Sequence, residues 1–205
     1  MRPGRDCRRA CCWLTLPGRK ETFGDKLPGD SRGAERHYRT LSVEQIKAFP
    51  LPPLADDALL LLWRVSSMAE EAYAVCRAWG FVPKAEIVWV KLTRPLDVVR
   101  VPPADLIQWP PPLWFGMGRV TRAAHETCLV AKRGRFAPDD RAVRSVFFAQ
   151  AQKGKHSAKP PEFYEIAERL CSSGPRCELF ARTPRAGWTQ YGDQLPGRPA
   201  APGAP

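Results

Sequence analysis

Ala58-Leu59-Leu60-Leu61-Leu62-Trp63 is a continuous apolar run of strand length. A strand with one wet face alternates apolar and polar residues, so an unbroken run is expected of a strand buried on both faces, as in a parallel sheet covered by helices. A helix follows it. Ser67 and Glu70 have capping-box spacing, Met68, Ala72, Val75 and Trp79 fall on one apolar face, and Gly80 is placed to end the helix in a left-handed turn. Glu86-Ile87-Val88-Trp89-Val90 and Thr127-Cys128-Leu129-Val130-Ala131 read as two further buried strands. Pro160 and Pro161 open another helix, with Phe163, Ile166 and Leu170 facing the core, and Cys177-Glu178-Leu179-Phe180-Ala181 returns to strand. Strand and helix alternate from Ser42 onward, which predicts an α/β domain with a parallel sheet and helices on both faces.

The chain has 205 residues, a length that suits one domain with a core and room for a pocket. Its apolar fraction is 44%, and no apolar run approaches the roughly 20 residues of a membrane span. The start is arginine-rich and lacks the apolar centre of a signal peptide. Seven cysteines (Cys7, Cys11, Cys12, Cys76, Cys128, Cys171, Cys177) show no C-x2-C spacing, so a reducing, cytoplasmic setting is expected. His37, His125 and His156 have no metal-ligand spacing, and no metal is expected. The net charge of +11 favours a polyanionic partner, although residues 1–21 alone hold six basic and two acidic side chains. Nucleic acid is the natural candidate.

Two stretches depart from the alternation. Pro95–Leu113 interleaves prolines with Trp109 and reads as a long functional or disordered loop. Residues 195–205, rich in Pro, Gly and Ala, read as a disordered tail.

Four segments in order, Leu41–Lys91, Gly116–Gly134, Arg144–Leu170 and Glu178–Gln194, lie within a span of about three quarters of the chain. Within them stand Leu61-Leu62-Trp63, Ala78-Trp79-Gly80-Phe81, Ile87-Val88-Trp89-Val90-Lys91, Thr121-Arg122-Ala123-Ala124-His125-Glu126, His156-Ser157-Ala158-Lys159-Pro160, Glu178-Leu179-Phe180-Ala181-Arg182, Gly187-Trp188 and Gly192-Asp193-Gln194. Together they resemble the adenine-specific methyltransferases of the MT-A class, the family of the messenger-RNA adenosine methyltransferase and of compact phage and bacterial DNA enzymes. The resemblance implies a Rossmann-like sheet over residues 22–194, in permuted order with the catalytic half first, that binds S-adenosylmethionine at the carboxyl ends of its strands.

By the same resemblance Lys159 pairs with the cofactor's carboxylate, Asp193 and Gln194 hold its ribose, and Glu178 and Arg182 line the pocket. On the substrate side the resemblance points to Arg119, Arg122, His125 and Glu126. Trp63 is either a wall for an unstacked adenine or plain core. The implied function is transfer of a methyl group to the exocyclic amine of adenine in nucleic acid, DNA preferred to RNA.

The family's catalytic signature, Asp-Pro-Pro-Trp after a hydrophobic strand, holds the amine near the methyl group, and that positioning is most of the catalysis. No such motif stands in this chain. It is expected near Leu14, Thr15, Leu16, Pro17 and Gly18. A synonymous back-translation of Ala10–Gly18, read one base earlier, spells Val-Leu-Leu-Ala-Asp-Pro-Pro-Trp, a buried strand followed by the missing motif. Two readings stand for residues 1–21: an out-of-frame start to an ordinary enzyme, or a divergent start to a chain that binds nucleic acid without methylating it. In either case the chain as written is expected to be inactive, and loss of the first strand would leave a gap or an exposed edge in the sheet. The nucleotide sequence across codons 10–23 from independent clones separates them: a base that restores the motif establishes the first reading, and an unchanged frame the second.

Overall fold

The computed structural model describes residues 9–15, 41–95, 98–101, 104–107, 112–116, 120–152, 158–192 and 195. One sheet organises them, built from β1 (Arg9–Thr15), β2 (Asp57–Arg64), β3 (Val82–Leu92), β6 (His125–Arg133), β7 (Val146–Gln150), β8 (Arg176–Leu179) and β9 (Thr189–Tyr191). Their order across the sheet is β7-β3-β6-β2-β1-β8-β9. The pairs β1 with β2, β1 with β8, β3 with β7 and β8 with β9 are parallel, whereas β6 is antiparallel to both β2 and β3. The sheet is therefore mixed, a correction to the expected parallel sheet. A strand's own sequence carries burial but not direction.

Helices α1 (Val43–Lys47) and α2 (Ala69–Ala78) cover one face, and α3 (Glu162–Leu170) covers the other. Residues of β2 alternate between the two layers. Ala58, Leu60 and Leu62 join Ile46, Ala72 and Val75 on the α1–α2 side, while Leu59, Leu61 and Trp63 join Phe163, Ala167 and Leu170 on the α3 side. All six are 0–4% exposed, which accounts for the unbroken apolar run: both faces of this strand are core. Each of the four leucines contributes about 1.5–3 kcal/mol on burial.

Helix α2 carries Ala72, Val75 and Cys76 buried, and Gly80 follows it with φ +77, as expected. The expected cap is not used. Met68 is the N-cap residue, with no side-chain hydrogen bond. The capping box lies instead on α1, where Ser42 Oγ accepts from Gln45 N at 3.2 Å and Gln45 Oε1 accepts from Ser42 N at 2.8 Å. Trp79 ties the two helices together, its indole N–H donating to Ile46 O at 3.1 Å. In α3 the buried residues are Phe163, Ala167 and Leu170, with Ile166 only partly covered.

Three further expectations change. Residues 9–15 fill the place between β2 and β8, in register from Arg9 opposite Asp57 to Thr15 opposite Trp63, so the sheet has neither a gap nor a raw edge there. The proline-rich stretch is not structureless, because β4 (Val98–Val101) and β5 (Ala104–Ile107) form an antiparallel pair, and a Leu92–Leu113 bridge closes its base. Leu195 is buried and donates its N–H to Gly192 O, so it belongs to the domain and not to a tail; residues 196–205 lie outside the described set.

Leu60→Ala, which opens a cavity between β2 and α2, is expected to cost about 2–5 kcal/mol. The exposed edge change Val146→Ser should stay within about 0.5 kcal/mol. Urea midpoints of the two variants check this contrast, and equal midpoints would contradict the two-sided burial of β2.

Candidate functional site

Three adjacent strands, β2, β6 and β3, send apolar residues toward α3 at every second position, and each stripe ends in a different kind of residue at one edge of the sheet. On β2 it runs Leu59, Leu61, Trp63; on β3 it runs Ile87, Trp89 and then Lys91; on β6 it runs back from Cys128 to Glu126. Because β6 is reversed, its first residues meet the last residues of β2 and β3. Glu126 lies directly opposite Trp89.

Glu126 is gripped by two lysines. Its Oε1 is 2.5 Å from Lys91 Nζ and its Oε2 is 2.9 Å from Lys159 Nζ. Lys91 lies over the Trp89 ring, 5.0 Å from the centroid, and Lys159 over the Trp63 ring at 5.3 Å. Burial penalises the Glu126 carboxylate, but Lys159 and Lys91 outweigh it and hold its pKa below the ordinary glutamate value. Trp63 itself is 1% exposed, with its ring 4.6 Å from Phe163 and 6.4 Å from Trp89. The ring is packed in the core. Even so, among the described residues its buried indole N–H meets no acceptor. That donor lies on the residue paired with Thr15, where β1 ends.

On its other side Lys159 borders a cleft of about 260 Å³, lined also by Ala158, Tyr164, Glu178, Phe180 and Arg182. The cleft opens at the carboxyl end of β8, where open sheets place ligands. Phe180, just past that end, holds φ +61, a left-handed backbone that few non-glycine residues adopt and that is typical of functional turns. Glu178 forms the floor. Gln190, its cross-strand partner, donates to it at 2.6 Å, and the Tyr164 hydroxyl donates at 3.2 Å. Burial is the largest influence on Glu178 and raises its pKa to about 7 against the opposing pull of Gln190, Tyr164 and Arg185. Tyr164 is fixed in turn, with Arg185 4.4 Å above its ring and Trp188 edge-on at 5.5 Å.

Two loop segments reach the edge beside Lys91. Trp114 N donates to Lys91 O and Lys91 N donates to Ala124 O, both at 2.8 Å. They touch each other at Gly116, where a Cβ would stand 2.4 Å from Ala123 O, so only glycine fits that crossing. Phe115 is exposed there, with Arg122 4.8 Å from its ring centroid.

Of the residues expected on the cofactor side, Lys159, Glu178 and Arg182 therefore line one cleft; Asp193 and Gln194 lie outside the described residues. On the substrate side Trp63 and Glu126 gather around Lys159, His125 and Arg122 are exposed, and Arg119 lies outside the described set. Leu14 and Thr15 end β1, while Leu16, Pro17 and Gly18 are not described. Sequence reasoning passed over Lys91, Trp89, Tyr164 and Gln190. The first two could have been found by strand parity, since positions 87, 89 and 91 share a face, whereas the others become site residues only through tertiary packing. Among the described residues no group of three His, Cys, Asp or Glu side chains could hold a metal, and no helix is long and apolar enough to cross a membrane.

The sequence model of the MT-A70 family matches residues 27–194. The N(6)-adenosine-methyltransferase MT-A70-like protein of Drosophila melanogaster is 29% identical over 80% of this chain and 25% of its own length. The Homo sapiens N(6)-adenosine-methyltransferase catalytic subunit METTL3 is 28% identical over 80% of the chain and 26% of its own length. The Type II methyltransferase M.MunI of Mycoplasma sp is 26% identical over 78% of the chain and 60% of its own length. The chain thus spans about a quarter of the adenosine methyltransferases it matches.

Glu178 gives this site a pH signature. Its folded pKa of about 7 lies above the ordinary 4.5, so the folded protein holds that proton more tightly than the unfolded chain. The resulting stabilisation, about 3 kcal/mol at most, is full below pH 4.5 and is lost as pH rises through about 7. Glu178→Gln should flatten this part of the stability profile, as measured by denaturant titrations between those two values; an unchanged slope would contradict the assignment.

Proposed function

The chain belongs to the MT-A70 family, and from that premise we propose that its fold serves S-adenosylmethionine-dependent methylation of the exocyclic amine of adenine in nucleic acid, with DNA preferred to RNA. The observation that carries this reading is the cleft. Lys159 and the pair Glu178 and Arg182 come from two separate stretches of sequence and line one cavity of about 260 Å³ at the carboxyl edge of the sheet. Its chemistry fits a zwitterionic nucleoside ligand. Lys159 offers a desolvated cation to a carboxylate, Arg182 a guanidinium, Glu178 with Tyr164 a polar floor, and Phe180 an aromatic edge. Asp193 and Gln194 are assigned to the ribose. Bound there, S-adenosylmethionine supplies a methyl group activated by its sulfonium.

We read the sheet as the permuted Rossmann-like form, β2 to β7 belonging to the catalytic half and α3, β8 and β9 to the cofactor half of a domain over residues 22–194, with β1 from the anomalous start completing the sheet. Trp63, Arg119, Arg122, His125 and Glu126 are assigned to the nucleic-acid side. The net charge of +11 suits a polyanion, and the buried thiols of Cys76, Cys128, Cys171 and Cys177 suit a reducing cytoplasm. The DNA preference rests on the resemblance to the compact DNA enzymes of the family, and the match to the Type II methyltransferase of Mycoplasma sp supports it.

The chain as written is proposed to bind cofactor but not to methylate. Its sequence lacks Asp-Pro-Pro-Trp, and the family match begins only at residue 27. What supports an out-of-frame origin is that β1 ends at Thr15, opposite Trp63 at the site edge, where the alternative frame would put its aspartate. The competing reading, a non-catalytic nucleic-acid-binding subunit of the same fold, draws on the same charge and the same missing motif.

Replacing residues 11–18 by Val-Leu-Leu-Ala-Asp-Pro-Pro-Trp is expected to raise methyl transfer to adenine-containing DNA by about 10²-fold or more over the chain as written. Radiolabelled methyl incorporation into DNA and into RNA of the same sequence measures it. A normal rate from the unaltered chain would overturn the proposed inactivity, faster transfer to RNA would overturn the DNA preference, and DNA binding without transfer by the restored chain would favour the subunit reading.

A further inference from the structure

The reading above assigns Lys159 to a ligand carboxylate, while the structure pairs it with Glu126. Both can hold if the pairing is exchangeable. Glu126 divides its oxygens, Oε1 to Lys91 and Oε2 to Lys159, so one lysine can leave without disturbing the other. The trio carries two positive charges and one negative, and it is poorly solvated: the Lys159 side chain is 7% exposed, Lys91 19% and Glu126 25%. Both ammonium groups lie over π faces, Lys159 on Trp63 and Lys91 on Trp89. A poorly solvated cluster in which two lysines share one carboxylate, bordering a cleft through Lys159, is suited to take up a further anion.

We propose that Glu126 is a resident counter-ion that Lys159 exchanges for the cofactor's carboxylate, and that Lys91 permits the exchange by keeping Glu126 paired when Lys159 turns into the cleft. The proposal rests on the cofactor reading and adds two positioning residues to it. Lys91 carries the second part: without it, moving Lys159 would leave a partly buried carboxylate unpaired, which is unfavourable. Because the backbone of Lys91 holds both Trp114 and Ala124, the counter-ion is anchored where the two loops of the substrate side meet.

A merely structural trio would weaken binding whichever member was removed, whereas exchange makes the signs differ. In calorimetry on the full chain with S-adenosylhomocysteine, Glu126→Gln removes the competitor for Lys159 and should tighten binding about three- to tenfold. Lys91→Met should weaken it about tenfold. With 5′-deoxy-5′-methylthioadenosine, which lacks the carboxylate, both variants should bind as the unaltered chain does.

Equal weakening by both variants, or the same shifts with the ligand that lacks a carboxylate, would overturn the exchange. If Glu126→Gln does not fold, as judged by its thermal transition, Lys91→Met with the two ligands still decides: loss confined to the carboxylate ligand supports the proposal, and loss with both overturns it. Absence of heat with S-adenosylhomocysteine from the folded, unaltered chain would instead remove the cofactor reading and the exchange with it. Binding by the unaltered chain without the opposite signs removes the exchange alone.

Discussion

Strand β6 runs against β2 and β3, and the site depends on that reversal. Its hydrogen bonds to both neighbours fix which end of β6 meets the carboxyl ends of β2 and β3. With the strand reversed, His125 and Glu126 arrive at the edge where Trp63 and Lys91 end their stripes. A parallel β6 would carry Glu126 to the far side of the sheet, away from both lysines. The period-two geometry of strands then does the rest, since parity alone decides that Trp63, Lys91 and Glu126 face α3 and not α2.

At that edge two glutamates, Glu126 partly buried and Glu178 buried, receive opposite treatment. Glu126 meets two ammonium groups close enough to overcome its desolvation, and it is held charged. Glu178 meets an amide, a hydroxyl and a more distant guanidinium; these do not offset burial, and its pKa rises to about 7. Hydrogen bonds from neutral donors compensate a buried carboxylate less than full charges do. Lys159 stands between the two environments, bordering the cleft that Glu178 floors while bonded to Glu126.

The place of β1 follows from the same hydrogen-bond logic. β2 and β8 are not neighbours, and each needs a partner on the side where β1 lies. Backbone bonding of this kind accepts many sequences, because the groups that pair are common to all residues but proline. Chemistry is stricter. A turn that holds an amine requires its own acid and prolines, and the sequence following Thr15 has none in the needed order. The strand position and the catalytic signature are separable properties, and this chain presents the first without the second.

The sequence by itself determined the elements whose patterns are strong and local. The apolar run of β2, the face of α2 with its closing Gly80, and the strands β3, β6 and β8 were all legible because burial imposes a period on the residues that undergo it. It also brought Lys159, Glu178 and Arg182 together through resemblance, and it exposed the missing motif. Tertiary structure alone decided the direction of β6, the short strands β7 and β9 with their weak patterns, the β4–β5 pair within the proline-rich stretch, and the burial of Leu195. It also decided the partners of Glu126. Lys91 and Lys159 lie 68 positions apart in the chain, so no local pattern could announce that they share one carboxylate. Strand direction, register and cross-sheet contacts are properties of pairs of segments, and a single segment does not encode its partner.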